Sequence, residues 1–151
     1  MAKIHQTPAD QLQFLLDIEA IKFLKARFLR AVDEQIAAPS PERLAAIESY
    51  LTPDAVLEVG VTRHLGISAI LRLYSETIPL VRSHVWHSAH CPAIVIQGDT
   101  AHAEWTFHAR ALSKGDRQGP TFSYGRYVDD YLRTDDGWKL ASMKVSFVPE
   151  P

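Results

Sequence analysis

The sequence predicts a single α+β domain over residues 1–151, with N-terminal helices packed on one face of a curved, mostly antiparallel sheet. Two observations predict this class. Apolar residues recur at helical spacing through much of the first half of the chain. In the second half, apolar and polar residues alternate over long stretches rich in aromatic and β-branched side chains, which is typical of strands.

Composition and charge exclude several classes of partner. The 151 residues carry a formal net charge of -2, so the chain lacks the basic footprint of a nucleic-acid-binding protein. No apolar run is long enough to cross a bilayer, and the N-terminus lacks the apolar core of a secretory signal. The single cysteine, Cys91, excludes an internal disulfide. We therefore expect a cytoplasmic protein with no nucleic-acid or membrane partner.

Two helices are predicted at the start of the chain. Thr7 is a capping residue and Pro8 suits the first helical position. Apolar residues then recur at helical spacing, namely at Leu15, Ile18, Ile21, Leu24, Phe28, Leu29, Val32 and Ile36. Pro39 and Pro41 end this first helix. The second, shorter helix covers residues 40–50, with a serine cap followed by proline.

The middle of the chain predicts one strand and one more helix. Thr52-Pro53-Asp54 predicts a turn, and residues 55–61 alternate as a strand. Residues 66–77 predict a third helix. Its apolar residues at helical spacing are Ile67, Ile70, Leu71 and Tyr74. Pro79 is expected to close it.

Residues 83–111 predict a histidine-rich hairpin of two long strands, joined by the turn Gln97-Gly98-Asp99-Thr100. In the first arm, alternation places His87 among apolar neighbours, on the face opposite His84, Trp86, Ser88 and His90. Pro92 predicts an edge position or a bulge. The second arm has an apolar face of Ala101, Ala103, Trp105, Phe107 and Ala109. Its polar face consists of His102, Glu104, Thr106, His108 and Arg110. The sequence favours contact of this face with water.

The last third of the chain predicts two further strands. A polar loop over residues 113–119 leads into a strand over residues 122–133. Asp135-Asp136-Gly137 is a strong hairpin turn, and residues 138–148 form the final strand. The order of elements is therefore three helices with one early strand among them, followed by long antiparallel strands.

Metal binding and covalent catalysis are not expected. His84, His87 and His90 are spaced three residues apart, but on a strand His87 points away from the other two. Cys91 is expected to be a small buried cysteine, since no glycine pattern of a nucleophile elbow surrounds it. The chain also lacks a phosphate-binding glycine loop and a dinucleotide fingerprint, so no cofactor is expected.

Acid–base chemistry is the remaining possibility, and it centres on Asp33 and His87. A histidine takes or gives a proton near neutral pH, and a carboxylate partner would orient it and stabilise its charged form. Asp33 lies beside the apolar stripe of the first helix, where a carboxylate needs a partner. An exposed pair with Arg30 is the plainer alternative. Sequence separation neither supports nor excludes contact between Asp33 and His87.

Several short segments occur in a characteristic order along nearly the whole chain. They are RFLRAVD (27–33), LTPDAVLE (51–58), GISAI (66–70), His87 ahead of PAIVI (92–96), GDTA (98–101), GRYVD (125–129) and DGWKL (136–140). In this order and spacing they resemble the SnoaL-like branch of the NTF2-like superfamily. The resemblance implies a cone-shaped α+β barrel.

The resemblance also implies a function and a pair of site residues. Dehydratases and the dehydrochlorinase of this superfamily use an Asp late in the first helix and a His at the start of a long strand, and Asp33 and His87 match these positions. The implied protein is a cofactor-free lyase or isomerase acting on a small apolar cyclic substrate. His87 would remove a proton from carbon while Asp33 orients it and stabilises its charge.

One departure concerns the leaving group. The dehydratases carry a Tyr about one turn before the Asp, where this chain has Phe28, so Tyr50, Tyr124 or Tyr127 would have to substitute. His108 lies roughly where scytalone dehydratase has a second His. The expected substrate-binding residues are Phe28, Tyr50, Trp105, His108, Tyr124 and Tyr127. Trp86 and Phe107 are further aromatic candidates for a pocket wall.

Two other functions fit the same residues. The first is a non-catalytic binding module, in which the cone holds a small apolar ligand or pairs with a larger partner. The second is a polyketide-type cyclase. In each case a broad curved sheet needs cover, so a homodimer or homotrimer is expected. Fold resemblance alone does not establish activity.

Overall fold

The computed structural model describes residues 7–115 and 119–148. Its helices are α1 (Pro8–Ala37), α2 (Pro41–Ser49), α3 (Ile67–Arg72) and α4 (Ile78–Val81), with a π-helical turn over Leu73–Thr77 between the last two. Its strands are β1 (Leu51–Val59), β2 (Thr62–Leu65), β3 (Arg82–Gln97), β4 (Thr100–Ser113), β5 (Thr121–Thr134) and β6 (Gly137–Phe147). No helix in the described ranges is long and apolar enough to span a bilayer.

The six strands form one mixed sheet in the order β2-β1-β6-β5-β4-β3. The pairs are antiparallel except for β1 with β6, which run parallel. The sheet does not close into a barrel, so β2 and β3 are edge strands. The predicted α+β class with a mostly antiparallel sheet is confirmed.

Helix α1 begins where its sequence predicts. The Thr7 hydroxyl accepts a hydrogen bond from the Asp10 N–H (3.2 Å), and the Asp10 carboxylate accepts one from the Thr7 N–H (3.0 Å). This capping box satisfies two N–H groups that have no partner within the helix. From Ile21 onwards the apolar stripe of α1 faces the sheet, where Ile21, Phe28 and Val32 are 1% exposed or less; Leu15, at the start of the predicted stripe, is 60% exposed. The stripe therefore places one side of α1 in the core.

The alternation predicted for β4 is also confirmed. Ala101, Ala103, Trp105 and Phe107 are buried on the inner face, while the residues between them are exposed. Across from Phe107, β5 carries Gly125, where a β-carbon would lie 1.9 Å from the Ser146 carbonyl oxygen. A glycine is therefore required where the strands approach this closely.

The predicted turn at Thr52-Pro53-Asp54 is wrong, because these residues belong to β1. Pairing between β1 and β6 shifts between Leu51 and Val56, so Pro53 lies in an irregular stretch where its missing N–H is tolerated. The turn comes instead at Gly60, whose φ of 58° suits glycine. It leads into β2, a strand that the sequence analysis did not predict.

The third predicted helix is composite, and Pro79 does not end it. Pro79 lies in the first turn of α4, where a proline is tolerated because that N–H has no helical partner. The preceding π-helical turn holds Leu73 and Tyr74, which are buried. The helical segment therefore continues past Pro79 to Val81.

Strand β3 contains the bulge that Pro92 predicts. Pairing with β4 shifts between His90 and Ala93, and Cys91 has a φ of 50°. Cys91 is exposed, so the expected buried thiol is wrong: the bulge turns this residue outward. Part of the predicted polar loop, residues 116–118, lies outside the described residues.

Candidate functional site

Asp33 of α1 and His87 of β3 are joined by two hydrogen bonds. The Asp33 Oδ1 atom lies 2.5 Å from His87 Nδ1, and Asp33 Oδ2 accepts from the His87 backbone N–H at 2.9 Å. Both side chains are half-buried, at 18% and 21% exposure. One carboxylate therefore holds both the ring and the backbone of one histidine.

The position of β3 at the sheet edge explains this geometry. His87 lies opposite Ala109 of β4, and its side chain belongs to the inner face. No strand lies on the other side of β3, so the His87 N–H needs another acceptor. Asp33, one turn after the buried Leu29 of α1, supplies it. Arg30 forms no ion pair with Asp33 within the described chain.

The contact with Asp33 also sets the tautomer of the neutral His87 ring. A carboxylate only accepts hydrogen bonds, so the Nδ1 atom of His87 carries the hydrogen. The Nε2 atom then keeps its lone pair and can accept a proton. When it does so, the Asp33 carboxylate is in place to stabilise the imidazolium. The arrangement is chemically competent as a general base.

Two spaces meet at His87. A groove of about 660 Å³ runs between α1 and β3, and an inner cavity of about 240 Å³ lies between the helices and the sheet. Leu29, Val85 and His87 line both spaces. Charged and aromatic side chains line much of the groove, whereas the inner cavity is lined mostly by apolar ones. A molecule that reaches the His87 ring can therefore have an apolar part and a polar part.

Two tyrosines line the inner cavity together with His87. Tyr74 comes from the π-helical turn and Tyr127 from β5, and both are 5% exposed or less. Neither hydroxyl forms a hydrogen bond to another described side chain. In the part of the chain that the structure describes, the fully buried side-chain atoms without a hydrogen-bond partner are Thr52 Oγ1, Trp105 Nε1 and Asp129 Oδ1. Since neither tyrosine hydroxyl is among them, we infer that both are open to the cavity.

The electrostatic surroundings keep both phenols protonated. Burial raises the pKa of Tyr74, and the nearby Asp33 carboxylate raises it further. Burial also raises the pKa of Tyr127, with smaller contributions from Tyr74, Asp129 and Asp33. A protonated phenol without a protein partner can donate a hydrogen bond to an oxygen of a bound molecule.

The other predicted substrate-binding residues lie in different places. Trp105 lines the groove, as does Trp86, and Phe107 lines the inner cavity. Phe28 is buried and lines neither space; its ring packs edge-on against Tyr74, with centroids 6.4 Å apart. Tyr50 is half-buried between α2 and β1 and also lines neither space.

His108 and Tyr124 lie on the outer face of the sheet, opposite the inner cavity. Their rings pack edge-on (5.1 Å), and His108 also packs against His90 (4.7 Å). Tyr124 is 47% exposed. Neither residue lines the groove or the inner cavity. Their expected place in that site is corrected accordingly.

A buried ion pair near the groove has no counterpart in the sequence analysis. Lys25 Nζ lies 2.7 Å from Asp129 Oδ2 and 3.8 Å from the centroid of the Tyr127 ring. The Tyr131 hydroxyl donates to the same Asp129 oxygen (2.7 Å). Burial lowers the pKa of Lys25 and raises the pKa of Asp129, and each partner opposes the effect on the other. The position of Lys25 inside the apolar stripe of α1 is the signal that could have found it.

Metal-ligand geometry is absent among the residues that the structure describes. No group of three or more His, Cys, Asp or Glu side chains is placed to hold one ion. His84 stacks on Trp86, with centroids 5.5 Å apart, while His87 is held by Asp33 on the other face.

Comparison with known proteins agrees with this architecture. The family model described as SnoaL-like domain matches residues 13–144. No curated protein matches the sequence significantly. A protein of Novosphingobium aromaticivorans with the provisional name aromatic ring hydroxylase has 25% identity and a TM-score of 0.79 to this chain, over 96% of this chain and 94% of that one.

Two further solved structures share the fold at lower identity. The hexachlorocyclohexane dehydrochlorinase LinA-type3 of Novosphingobium barchaimii has 18% identity and a TM-score of 0.78, covering 92% of this chain and 91% of that one. An NTF2-like superfamily protein of Salmonella enterica has 20% identity and a TM-score of 0.75, over 87% and 91% of the two chains. The predicted NTF2-like fold is confirmed.

Proposed function

The chain belongs to the SnoaL-like domain family, and we propose that it is a cofactor-free lyase or isomerase that removes a proton from carbon in a small apolar cyclic substrate. The observation that carries this proposal is the pair of hydrogen bonds from Asp33 to His87, at the junction of a groove and an apolar cavity. Dehydrochlorinases among the structural neighbours support lyase-type chemistry for this fold.

In the proposed reaction, His87 is the general base. Its Nε2 atom takes a proton from carbon, and the electron pair of that C–H bond forms a new C=C bond. In an elimination, a leaving group departs with its bonding pair from the adjacent carbon. In an isomerisation, the proton returns at a different carbon. Asp33 stabilises the imidazolium in both cases.

Tyr74 and Tyr127 would supply the hydrogen bonds that this reaction needs at oxygen. In an elimination they donate to the oxygen of a departing hydroxyl, and in an isomerisation they donate to a carbonyl oxygen that gains negative charge. Hydrogen-bond donors that are already in position when the charge develops stabilise it most effectively, above all in a site that contains little water. Tyr74 thus takes the role that a tyrosine on the first helix has in the dehydratases, where this chain has Phe28.

The size of the inner cavity bounds the ring of the substrate. An engineered apolar cavity of about 150 Å³ holds benzene. The volume of about 240 Å³ here suits a substituted ring or a small bicyclic system. The lining of Leu29, Val32, Val85, Phe107 and Val145 favours an apolar ring.

Exchange of carbon-bound hydrogen for deuterium tests the proposal without knowledge of the product. Cyclic ketones, hydroxyketones and chlorides of one or two rings are incubated with the protein in D₂O, and mass spectrometry follows deuterium uptake or loss of the leaving group. We expect turnover by the wild type and none by His87→Ala. His102→Ala is the matched control, because His102 forms a similar pair with Asp130 (2.8 Å) on the exposed outer face. Full turnover by His87→Ala would refute the assignment.

A ligand-binding module without chemistry is the second candidate, because the inner cavity is lined mostly by apolar residues, many of them from the core. In that case ring compounds would raise the melting temperature equally in the wild type and in Asp33→Asn, and no compound would be turned over. Loss of this stabilisation in Asp33→Asn would contradict a purely apolar binding role.

We also propose a homodimer or homotrimer formed through the outer face of the sheet. That face exposes large aromatic side chains: Trp86 is 46% exposed, Phe122 53% and Tyr124 47%. Exposed apolar patches of this kind mark association sites. Sedimentation velocity should show an oligomer that Phe122→Glu dissociates; a monomeric wild type would contradict the proposal. The cytoplasm remains the proposed location.

A further inference from the structure

Arg30 lies in the groove beside Asp33 and is not used by the mechanism described above. We propose that Arg30 binds an anionic substituent of the substrate, so that the substrate is a ring compound carrying an acidic group. This inference rests on the proposed function, because it concerns the same site. It specifies the substrate class as a cyclic carboxylate or another singly attached anion.

The position of His87 between the two spaces determines where the substituents of a substrate lie. His87 lines both the groove and the inner cavity, so a carbon within reach of its ring lies where the two spaces meet. The inner cavity can take the ring, since its lining is mostly apolar. Any substituent that extends past His87 on the other side enters the groove. The groove therefore determines which substituents are accepted.

Most of the charged side chains along the groove already have a partner. Lys25 is neutralised by Asp129 (2.7 Å), and Asp33 is held by His87. Lys22 has an exposed partner in Glu19. Arg30 is exposed and forms no ion pair within the described ranges of the chain.

A second cation, Arg110, lies beside the groove without lining it. The Arg110 guanidinium lies over the ring of Trp86, which lines the groove, with 4.9 Å to the ring centroid. The opposing charges in the lining are the carboxylates of Asp33 and Glu34, and Asp33 already accepts two hydrogen bonds from His87. Arg30 is therefore the cation of the groove lining that has no ion-pair partner within the described ranges, so it is the one available to a negative group.

Helix geometry places Arg30 close to the reacting end of the groove. Arg30 precedes Asp33 by three residues, and residues three apart share a face of a helix. Asp33 in turn contacts His87. A guanidinium presents a planar fork of donors that matches a carboxylate through two parallel hydrogen bonds. Arg30 is thus suited to hold an acidic group while the attached ring remains at His87.

The test compares three ring compounds of similar size by isothermal titration calorimetry. They are 1-naphthaleneacetate, its uncharged methyl ester and the cation 2-(1-naphthyl)ethylammonium. We expect the wild type to bind the acid about tenfold more tightly than the ester, the effect expected for one hydrogen bond to a charged group. Arg30→Ala should lose this preference while its affinity for the ester is unchanged. Arg30→Lys should keep only part of it, because an ammonium lacks the fork.

Arg27→Ala is the matched control. Arg27 is an exposed arginine on the same helix, but its guanidinium lies over the Phe23 ring (4.3 Å) and it does not line the groove. Its removal should leave the preference for the acid intact. Three results would overturn the proposal: equal binding of acid and ester, an unchanged preference in Arg30→Ala, or tighter binding of the ammonium. Failure to bind any of the compounds would overturn it as well.

The binding test on Arg30 and the turnover test on His87 can succeed or fail independently of each other. Binding of a compound that is not turned over does not require a base, so His87→Ala should retain the preference for the acid although it loses turnover. If Arg30 fails the binding test while His87 is required for exchange, only the substrate class is wrong. If the acid preference depends on Arg30 but His87→Ala is fully active, the catalytic assignment is wrong instead.

Discussion

Lys25 and Asp129 form an ion pair in the interior of the protein, with Nζ 2.7 Å from Oδ2 and both side chains 1% exposed or less. The pair ties the middle of α1 to the middle of β5. Lys25 precedes Asp33 by eight residues, about two turns along the same face of α1. The ion pair therefore helps to determine where Asp33 meets His87.

Loss of one partner of this pair should be strongly destabilising. Lys25→Met leaves the Asp129 carboxylate buried without its cation, which costs about 3–5 kcal/mol in comparable cases. Urea unfolding followed by circular dichroism measures the change in the free energy of unfolding. Lys22→Met, which removes an exposed lysine paired with Glu19, should change it by less than about 1 kcal/mol.

The double variant Lys25→Met/Asp129→Asn separates charge from packing. Removal of both charges should restore a large part of the stability that Lys25→Met loses. If the double variant is as unstable as the sum of the two single variants, the two side chains do not interact as described.

Asp33→Asn should lower the rate of proton abstraction by about 10²-fold or more, while the protein stays folded. The amide cannot stabilise the imidazolium, and its NH₂ group can donate to Nδ1, which would favour the opposite tautomer of His87. The rate of deuterium exchange measures the first effect, and ¹⁵N chemical shifts of the His87 ring measure the second. Asp130→Asn, which alters the exposed His102 pair, should leave the rate unchanged. An unaltered rate in Asp33→Asn would remove Asp33 from the mechanism.

Tyr74→Phe and Tyr127→Phe should each slow turnover, because each removes one donor to the substrate oxygen. Loss of one such donor reduces kcat by about 10²-fold in comparable sites. Since neither hydroxyl has a described partner to lose, the free energy of unfolding should change little. Tyr124→Phe, on the outer face, is the control and should retain full activity. Wild-type kcat in both inner variants would contradict the assigned role.

Asp17 should make the stability of the protein depend on pH in the acid range. Arg133 donates to both carboxylate oxygens of Asp17 (2.7 Å each), and Trp138 Nε1 donates to one (3.1 Å). Arg133 is the main cause that lowers the pKa of Asp17 from 3.8 to about 2. Because the folded-state pKa is the lower one, the stabilisation is complete above pH 4 and is lost as the pH falls towards 2.

The expected contribution is about 2 kcal/mol at neutral pH. Urea unfolding at a series of pH values between 2 and 7 should show this loss in the wild type. Asp17→Asn should be less stable at pH 7 and should lack this part of the acid dependence. Asp54→Asn, at an exposed position, should follow the wild-type profile. Identical profiles for the wild type and Asp17→Asn would contradict the prediction.

The pattern of residues within short stretches of the sequence was sufficient to predict much of the fold. The Thr7–Pro8 start of α1, the alternating faces of β4 and the bulge at Pro92 follow from hydrogen-bonding and steric rules that act within a few residues. The same rules failed at Thr52-Pro53-Asp54 and at Pro79. At Thr52-Pro53-Asp54, pairing of β1 with β6, a strand distant in sequence, overrode the turn propensity of these residues. Pro79 does not end its helical segment because it occupies the first turn of α4.

The sequence by itself determined the α+β class, the position of Asp33 beside an apolar stripe and the inward face of His87, because these depend on the periods of helix and strand. Only the tertiary structure decided that Asp33 meets the unpaired edge of β3, that Tyr74 and Tyr127 line one cavity, and that Lys25 pairs with Asp129. It also placed His108 and Tyr124 on the far face of the sheet. Contacts between residues tens of positions apart depend on how whole elements pack, and that information is absent from local spacing.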